Sequence, residues 1–385
     1  MRIGIDARLV YYRQAGIGQY ILRLAEALAK IDRENEFVLL QSRKHRQAII
    51  DQPNFKRASL WTPSHHRLEQ WTLPLEIYPL GLDVLHSPDF IPPFRRNCKS
   101  VITVHDLAFL VYPNILTKES ARYYSQIDQA VRNTDHIIAV SKSTRRDIIH
   151  RLGVPEDKIT VIYEAAHPIY RPLDDERLLR QRCPEPCPER GRRAVEGVRQ
   201  KYHLPDDFIL FVSTIEPRKN VPTLLRAYRQ LLDGYKRSEA LVLAGAQGWL
   251  FDEVFAMVEE LGLEDNTLFL GRVPVEDLLY LYNAAKLLVH PAVYEGFGLP
   301  PLEAMACGTP VVASNVSSLP EVVGDAALLV DPENVSELTV ALWRLLTDED
   351  LRADMREKGL KRAALFSWEK AARETLALYL KVGGG

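Results

Sequence analysis

Short apolar runs rich in Val, Ile and Leu recur along the chain. Longer stretches with apolar residues three and four apart separate them. The first half predicts strands at 2–6 (RIGID), 36–40, 83–87, 100–104, 136–140 and 159–163. Helical spacing appears between several of them, as over 18–31 (GQYILRLAEALAKI) and 142–153 (KSTRRDIIHRLG). In the second of these, Ser141 is placed to cap the N-terminus and Gly153 to take the left-handed conformation past the end. The second half repeats the rhythm, with strands predicted at 208–213, 240–245, 267–271, 286–290, 310–314 and 327–331. Continuous apolar runs belong to strands buried on both faces, and intervening helices make the sheets parallel.

A chain of 385 residues exceeds what one hydrophobic core usually supports, so two domains are expected. Over 171–201 the composition changes: nine Lys or Arg, six Asp or Glu and four Pro leave few apolar residues. This reads as a linker with an insertion. It divides the chain into an α/β domain over 1–170 and a second over 202–365, two Rossmann-like domains expected to face each other across a cleft. Cys183 and Cys187 in the insertion lack further ligands at zinc spacing and read as a polar surface segment.

Composition is that of a globular protein, 46% apolar and 26% charged, and the formal net charge of −2 suggests neither nucleic acid nor an anionic membrane. No apolar run is long enough to span a bilayer, and the N-terminus MRIGIDARLV reads as a strand with no secretory pattern. The expected location is the cytoplasm. The segment KSTRRDIIHR is a mild candidate for contact with the inner membrane face.

The chemistry concentrates at strand ends. In HPAVYEGFGLPPLEAMACGTPVVAS (290–314), a strand runs into a loop with Gly296, Phe297 and Gly298. Past Leu299 a helix is expected over 301–307 (PLEAMAC), with Pro300 or Pro301 suited to its first turn, and it ends at Gly308. Free N–H groups of the loop and helix start suit a phosphate. Glu295 and Glu303 would repel phosphate and suit neutral hydroxyls, with Glu303 in the first helical turn. One ligand meets both demands: a nucleotide sugar, with hydroxyls at each end of a diphosphate. In FVSTIEPRKNVPTLL (211–225), Arg218 and Lys219 lie between a strand ending near Ser213 and a helix starting near Asn220, a good diphosphate site. There they could also stabilise charge on a departing diphosphate.

His105, in VITVHDL, falls at the end of a strand, where it could bind a sugar or donate to a reacting oxygen; the alternative is a structural cap. His86 has a weaker claim, and packing is the expected role of His290. Gly16 and Gly18 open a helix and could let backbone approach a ligand, although the dinucleotide fingerprint is absent because its third glycine is Ile21. Asp348-Glu349-Asp350 could imitate a metal-binding Asp-x-Asp. It lies between helices, with Thr347 as the expected cap, and reads as structural; no metal cofactor is expected.

With these residues assembled, EGFGLPPLEAMACGTPVVAS resembles the E-x7-E motif of the retaining GT-B glycosyltransferases, a family that includes sucrose synthase and many bacterial mannosyltransferases. GIGQY, HDL, DHIIAVSKSTRRDI, KITVIYEA, TIEPRKN, LVLAG, LFLGRV and FSWEKAA match in order, so the resemblance covers nearly the whole chain. It implies a GT-B fold, with a final helix near 366–382 crossing back to the N-terminal domain. It gives Glu295 a place near the donor sugar, Glu303 the ribose hydroxyls, and Lys219 with Arg218 the diphosphate. It gives Arg272 and Val273 the nucleobase and His105 the sugar, with Ser213 and residues 296–299 also against the donor. Many members carry an arginine six residues before that lysine, in a Gly-Arg pair; here positions 213 and 214 are Ser and Thr.

The resemblance further implies transfer of a hexose with retention, without a metal, from a nucleoside diphosphate sugar to a glycan or lipid-linked acceptor. HDL with TIEPRKN is most similar to mannosyltransferases, which points to GDP-mannose; a UDP-sugar is the alternative donor. A nucleotide-sugar epimerase of the same fold and a non-catalytic nucleotide-sugar-binding protein are the competing readings.

Overall fold

The computed structural model describes residues 1–12, 16–113, 118–173, 188–246, 248 and 251–384. The chain divides into two compact units, Met1–Ala165 with Phe366–Gly385, and Ala166–Leu365. Cys183 and Cys187 fall outside the described residues.

The first unit holds a seven-stranded sheet of β1 (Arg2–Asp6), β2 (Glu36–Ser42), β3 (Phe55–Leu60), β4 (Val84–Ser87), β5 (Lys99–Val104), β6 (His136–Ala139) and β7 (Ile159–Val161). Their order is β3-β2-β1-β4-β5-β6-β7 and every pairing is parallel. Both faces are apolar. Ile3, Ile5, Leu39 and Val101 enter one core with the helices Ile17–Ile31 and Trp368–Gly383. Ile102, Val104 and Ile137 enter a core on the other side. That two-sided burial is why most strands are continuous apolar runs. The edge strand β3 (FKRASL) has no such signature: Lys56 faces out and Ala58 in, and the sequence did not predict it.

The second unit holds β8 (Phe208–Val212), β9 (Ala240–Ala244), β10 (Thr267–Gly271), β11 (Leu287–His290), β12 (Val311–Ser314) and β13 (Leu328–Val330). The order is β10-β9-β8-β11-β12-β13, again all parallel. Along β8, Ile209 and Phe211 enter one core while Phe208, Leu210 and Val212 enter the other.

Two local expectations change, and the last helix falls where it is expected. The stretch read as a linker ends in a helix, Pro188–Tyr202, whose many charges hide its helical spacing, and Val198 and Tyr202 join the second unit's core. The helix after Thr347 is capped by Asp348, whose carboxylate accepts from Leu351 N at 2.9 Å, because the helix starts one residue later than expected. The last helix is part of the first unit. Ser367 caps it, Trp368 and Ala372 enter the core, and the Tyr379 hydroxyl meets buried His86 Nδ1 at 2.5 Å. Burial pushes His86 down to about 3, so it is a neutral structural link in the core.

Candidate active site

In each sheet the chain starts at a central strand, moves to one edge and returns to build the other half. Ligands of open α/β sheets bind at this reversal, outside the carboxyl ends of the strands. In the second unit the reversal falls between β8 and β11. Arg218 and Lys219 follow β8 in a single 3-10 turn (Pro217–Lys219), and Glu295 follows β11. Asn220 holds the turn in place: it takes the left-handed conformation and donates from Nδ2 to Pro332 O at 2.7 Å and Pro291 O at 3.2 Å.

The two loops meet as one buried ionic knot. The Glu295 carboxylate accepts from Lys219 Nζ, from Arg218 Nη1 at 3.0 Å and from His290 Nε2 at 2.8 Å. Burial alone would raise the Glu295 carboxyl, but Lys219, the His290 hydrogen bond and Arg218 outweigh it and hold the group well below the usual carboxylate range. Burial lowers Lys219, with the Glu295 charge opposing that shift. Burial also lowers His290, so its ring is neutral and donates from Nε2, while its buried Nδ1 has no hydrogen-bond partner among the described residues. Three donors occupy three of the roughly four lone-pair positions of the carboxylate. Arg218 Nε also donates to the Glu216 carboxylate at 3.0 Å, so the knot carries two cations and two carboxylates beside the start of a helix.

That helix is Leu299–Cys307, with Pro300 in its first turn and Gly308 left-handed at its end. Gly298 caps its start at φ 104° and fits closely: a Cβ there would come 2.7 Å from Leu319 Cδ2. The approach loop is braced from behind. Ser317 Oγ donates to Glu295 O at 2.6 Å and accepts from Glu295 N at 3.1 Å. Ser318 Oγ donates to Glu295 O at 3.0 Å and Phe297 O at 2.8 Å. Gly296, Phe297 and Gly298 are buried and Leu299 is half-buried.

Glu303 stands in the second turn of the helix, not the first, because the helix begins at Leu299. The favourable dipole interaction of a first-turn glutamate is therefore weak here. Burial instead pushes the carboxyl up to about 7, although Tyr282, donating its hydroxyl at 2.8 Å, opposes the shift. Tyr282 is itself buried and stacks edge-on with Tyr170, ring centroids 5.3 Å apart.

Ser213 directly follows β8, with its N–H bonded to Ala244 O at 3.0 Å. A Cβ on Gly245 would lie 1.7 Å from Ser213 O, so this strand end admits only glycine as its neighbour. Past β10, Arg272 is exposed and Val273 buried. Ser213, Arg218, Lys219, Arg272, Val273, Glu295–Leu299 and Glu303 all belong to the second unit and follow β8, β10 or β11.

Gly16, Gly18 and His105 belong to the first unit. Gly16 caps Ile17–Ile31 at φ 57° and ψ −114°, a conformation that favours glycine, and Gly18 is buried within the helix. His105 follows β5 and engages both ring nitrogens, Nδ1 with Glu164 at 2.8 Å and Nε2 with Pro88 O at 2.9 Å. Burial would lower His105, yet Glu164 and the Pro88 carbonyl outweigh it, so the ring holds its proton more tightly than usual. A sugar oxygen could take the Nε2 proton only by displacing Pro88 O. Nearby, buried Arg8 joins Asp6 and Glu69, and Asp89 accepts from the Tyr123 hydroxyl at 3.1 Å and meets His65 Nε2 at 2.5 Å.

Several of these partners were not singled out by the sequence. Tyr282, Ser317, Ser318 and Glu164 lie 21 or more residues from the groups they hold. His290 had a visible sign, its place at a strand end, but was assigned to packing.

Among the described residues, no group of three His, Cys, Asp or Glu side chains could hold a metal ion. Comparison with known proteins gives two domain matches: Glycosyltransferase Family 4 over residues 15–167 and Glycosyl transferases group 1 over 197–362. The chain is 35% identical to O-antigen chain mannosyltransferase B of Escherichia coli, over 98% of this chain and 99% of the relative. It is 30% identical to the serotype-specific mannosyltransferase WbdA of Escherichia coli, over 77% of this chain and 35% of that longer protein. Its fold resembles sucrose-phosphate synthase of Thermosynechococcus elongatus, with TM-score 0.74, 22% identity and 99% and 98% of the two chains covered. It also resembles WaaG, a glycosyltransferase of lipopolysaccharide biosynthesis, with TM-score 0.71, 17% identity and both chains covered in full.

Proposed function

This chain belongs to the GT-B glycosyltransferases that join a family 4 domain to a group 1 domain, and we propose that it transfers mannose from GDP-mannose to a hydroxyl of a growing surface-polysaccharide chain. The observation that carries the mannosyl assignment is the 35% identity to an O-antigen mannosyltransferase over essentially both full lengths. The epimerase alternative draws no support from these relatives.

The site geometry supports a division of labour. The diphosphate rests against Arg218, Lys219 and the amides at the start of Leu299–Cys307. Two cations already fixed by Glu295 need no reorganisation when charge grows on the leaving group, which is the condition for electrostatic catalysis. Glu295 keeps a lone-pair position for one sugar hydroxyl, and Glu303 accepts from the ribose hydroxyls. No metal enters this scheme: the two side-chain cations and the helix start carry the diphosphate charge. The reaction retains configuration, with the departing diphosphate helping to take the proton of the incoming hydroxyl on the same face.

The test is incubation with GDP-mannose, UDP-glucose and UDP-N-acetylglucosamine, each with a bacterial lipid extract and with chelator present. GDP release with mannose entering the lipid or glycan fraction is expected. Transfer from a UDP-sugar alone overturns the donor assignment. Isomerised donor without transfer overturns the reaction, and activity lost to chelator overturns the metal-free scheme.

A further inference from the structure

The first unit leaves one apolar face outside its own core. The helix Glu69–Ile77 turns Glu69, Leu73 and Ile77 inward, at every fourth position. Leu68, Trp71, Leu75 and Tyr78 follow the opposite spacing and face out, and Trp61 stands just after β3 on the connection leading to this helix. Exposure is 76% at Leu75, 70% at Trp61, 66% at Tyr78 and 64% at Trp71, the highest among the exposed large apolar side chains of the described residues. A contiguous exposed apolar ridge of this kind marks an interaction surface.

The exposed charge on the flanking segments is mainly positive. Arg43, Lys44, Arg46, Arg67 and Arg95 are exposed on the flanking segments. The Arg43 guanidinium lies 3.8 Å over the Trp61 ring and that of Arg95 lies 5.1 Å over Trp71. Of the nearby carboxylates, Glu69 is paired inward with Arg8, while Glu76 is partly buried and accepts from the N–H groups of Trp61 at 2.7 Å and Thr62 at 3.0 Å.

We propose that Trp61 and the outer face of Glu69–Ile77 sit in the interface of an anionic lipid bilayer and seat the first unit on a membrane. Trp and Tyr place an apolar body in the acyl boundary and a polar tip at the headgroups, Leu68 and Leu75 add aliphatic area, and the arginines reach lipid phosphates. A second copy of the chain fits less well, because a self-complementary contact would press cation against cation. A glycan fits less well too, since guanidinium groups cover the ring faces that a sugar would stack on. The segment Lys142–Leu152, the candidate from sequence, spends Ile148 on its own core. This docking surface is independent of which sugar is transferred.

The test uses the full chain with vesicles of phosphatidylcholine alone and with phosphatidylglycerol added. Co-sedimentation with the phosphatidylglycerol vesicles is expected, weakened by salt, with tryptophan emission quenched by brominated acyl chains. Leu75→Ser and Trp71→Ser should each weaken binding about tenfold, and Arg67→Gln about fivefold. Val340→Ser, at an exposed apolar position of the second unit, should change nothing. Unchanged thermal melting confirms that the variants fold; if Trp71→Ser does not, Leu75→Ser and the quenching measurement still decide. The proposal is overturned if the chain stays in solution with anionic vesicles, or if Leu75→Ser binds like the parent. It is also overturned if Leu75→Ser abolishes a lipid-free dimer, or Trp71→Ser retention on mannan, while vesicle binding is unaffected.

Discussion

At Glu295, one buried carboxylate fixes two cations and a neutral imidazole, so single substitutions there act on more than one function. In the proposed scheme, Lys219→Ala removes a charge that matters most when the leaving diphosphate gains its own. The expected loss in kcat is about 100- to 1000-fold, with a smaller loss in donor affinity. Steady-state rates beside calorimetric donor binding test this, and a loss confined to affinity would reduce Lys219 to a binding group. Glu303 provides a pH signature. Its carboxyl is pushed up to about 7, so below that pH it is mainly protonated and a poorer acceptor for ribose hydroxyls. Donor affinity should rise as pH rises through 7, and Glu303→Gln should flatten that dependence and weaken binding by about 1–3 kcal/mol. The same shift sets a stability slope. From its ordinary value of 4.5 up to about 7 the native carboxyl holds a proton that the unfolded chain has released. Its contribution to stability therefore falls as pH rises across that window.

At the scale of elements, the strand ends are legible in the sequence because strands, glycines and prolines punctuate one another. Pro300, Gly298 and Gly308 place the helix Leu299–Cys307 to within two residues at its start and fix its end. The brace behind its approach loop was not legible, because Ser317 and Ser318 meet Glu295 only after the next strand has folded beside it. Gly298→Ala tests this junction. The substitution strains a backbone at φ 104° and puts a methyl group 2.7 Å from Leu319 Cδ2. A stability loss of about 1–3 kcal/mol is expected, with weakened donor binding as the loop shifts. Denaturant unfolding beside donor titration measures both, and a fully stable variant with normal affinity would show that the cap tolerates a side chain.

At the scale of the molecule, the first unit is discontinuous: residues 366–385 return to complete it. Trp368, Ala371, Ala372, Leu378 and Tyr379 all lie in its core. Deleting residues 366–385 would open that core and strip His86 of its Tyr379 partner. The expected result is loss of the unfolding transition of the first unit, while the second unit, with cores of its own, still melts cooperatively. Differential scanning calorimetry checks this, and a truncated chain with both transitions intact would refute it.

Periodicity and punctuation in the sequence determined the α/β class, the positions of most strands, and the strand-end loops that carry Glu295, Lys219 and Arg218. Those features are local, set by side-chain alternation and by the φ preferences of glycine and proline over a few residues. Only the tertiary structure decided which charges neutralise one another, that Glu303 sits a turn deeper and holds its proton near neutral pH, and that both nitrogens of His105 are engaged. Burial and pairing between residues far apart in the chain set these properties, and burial exists only once the strands have assembled into a sheet.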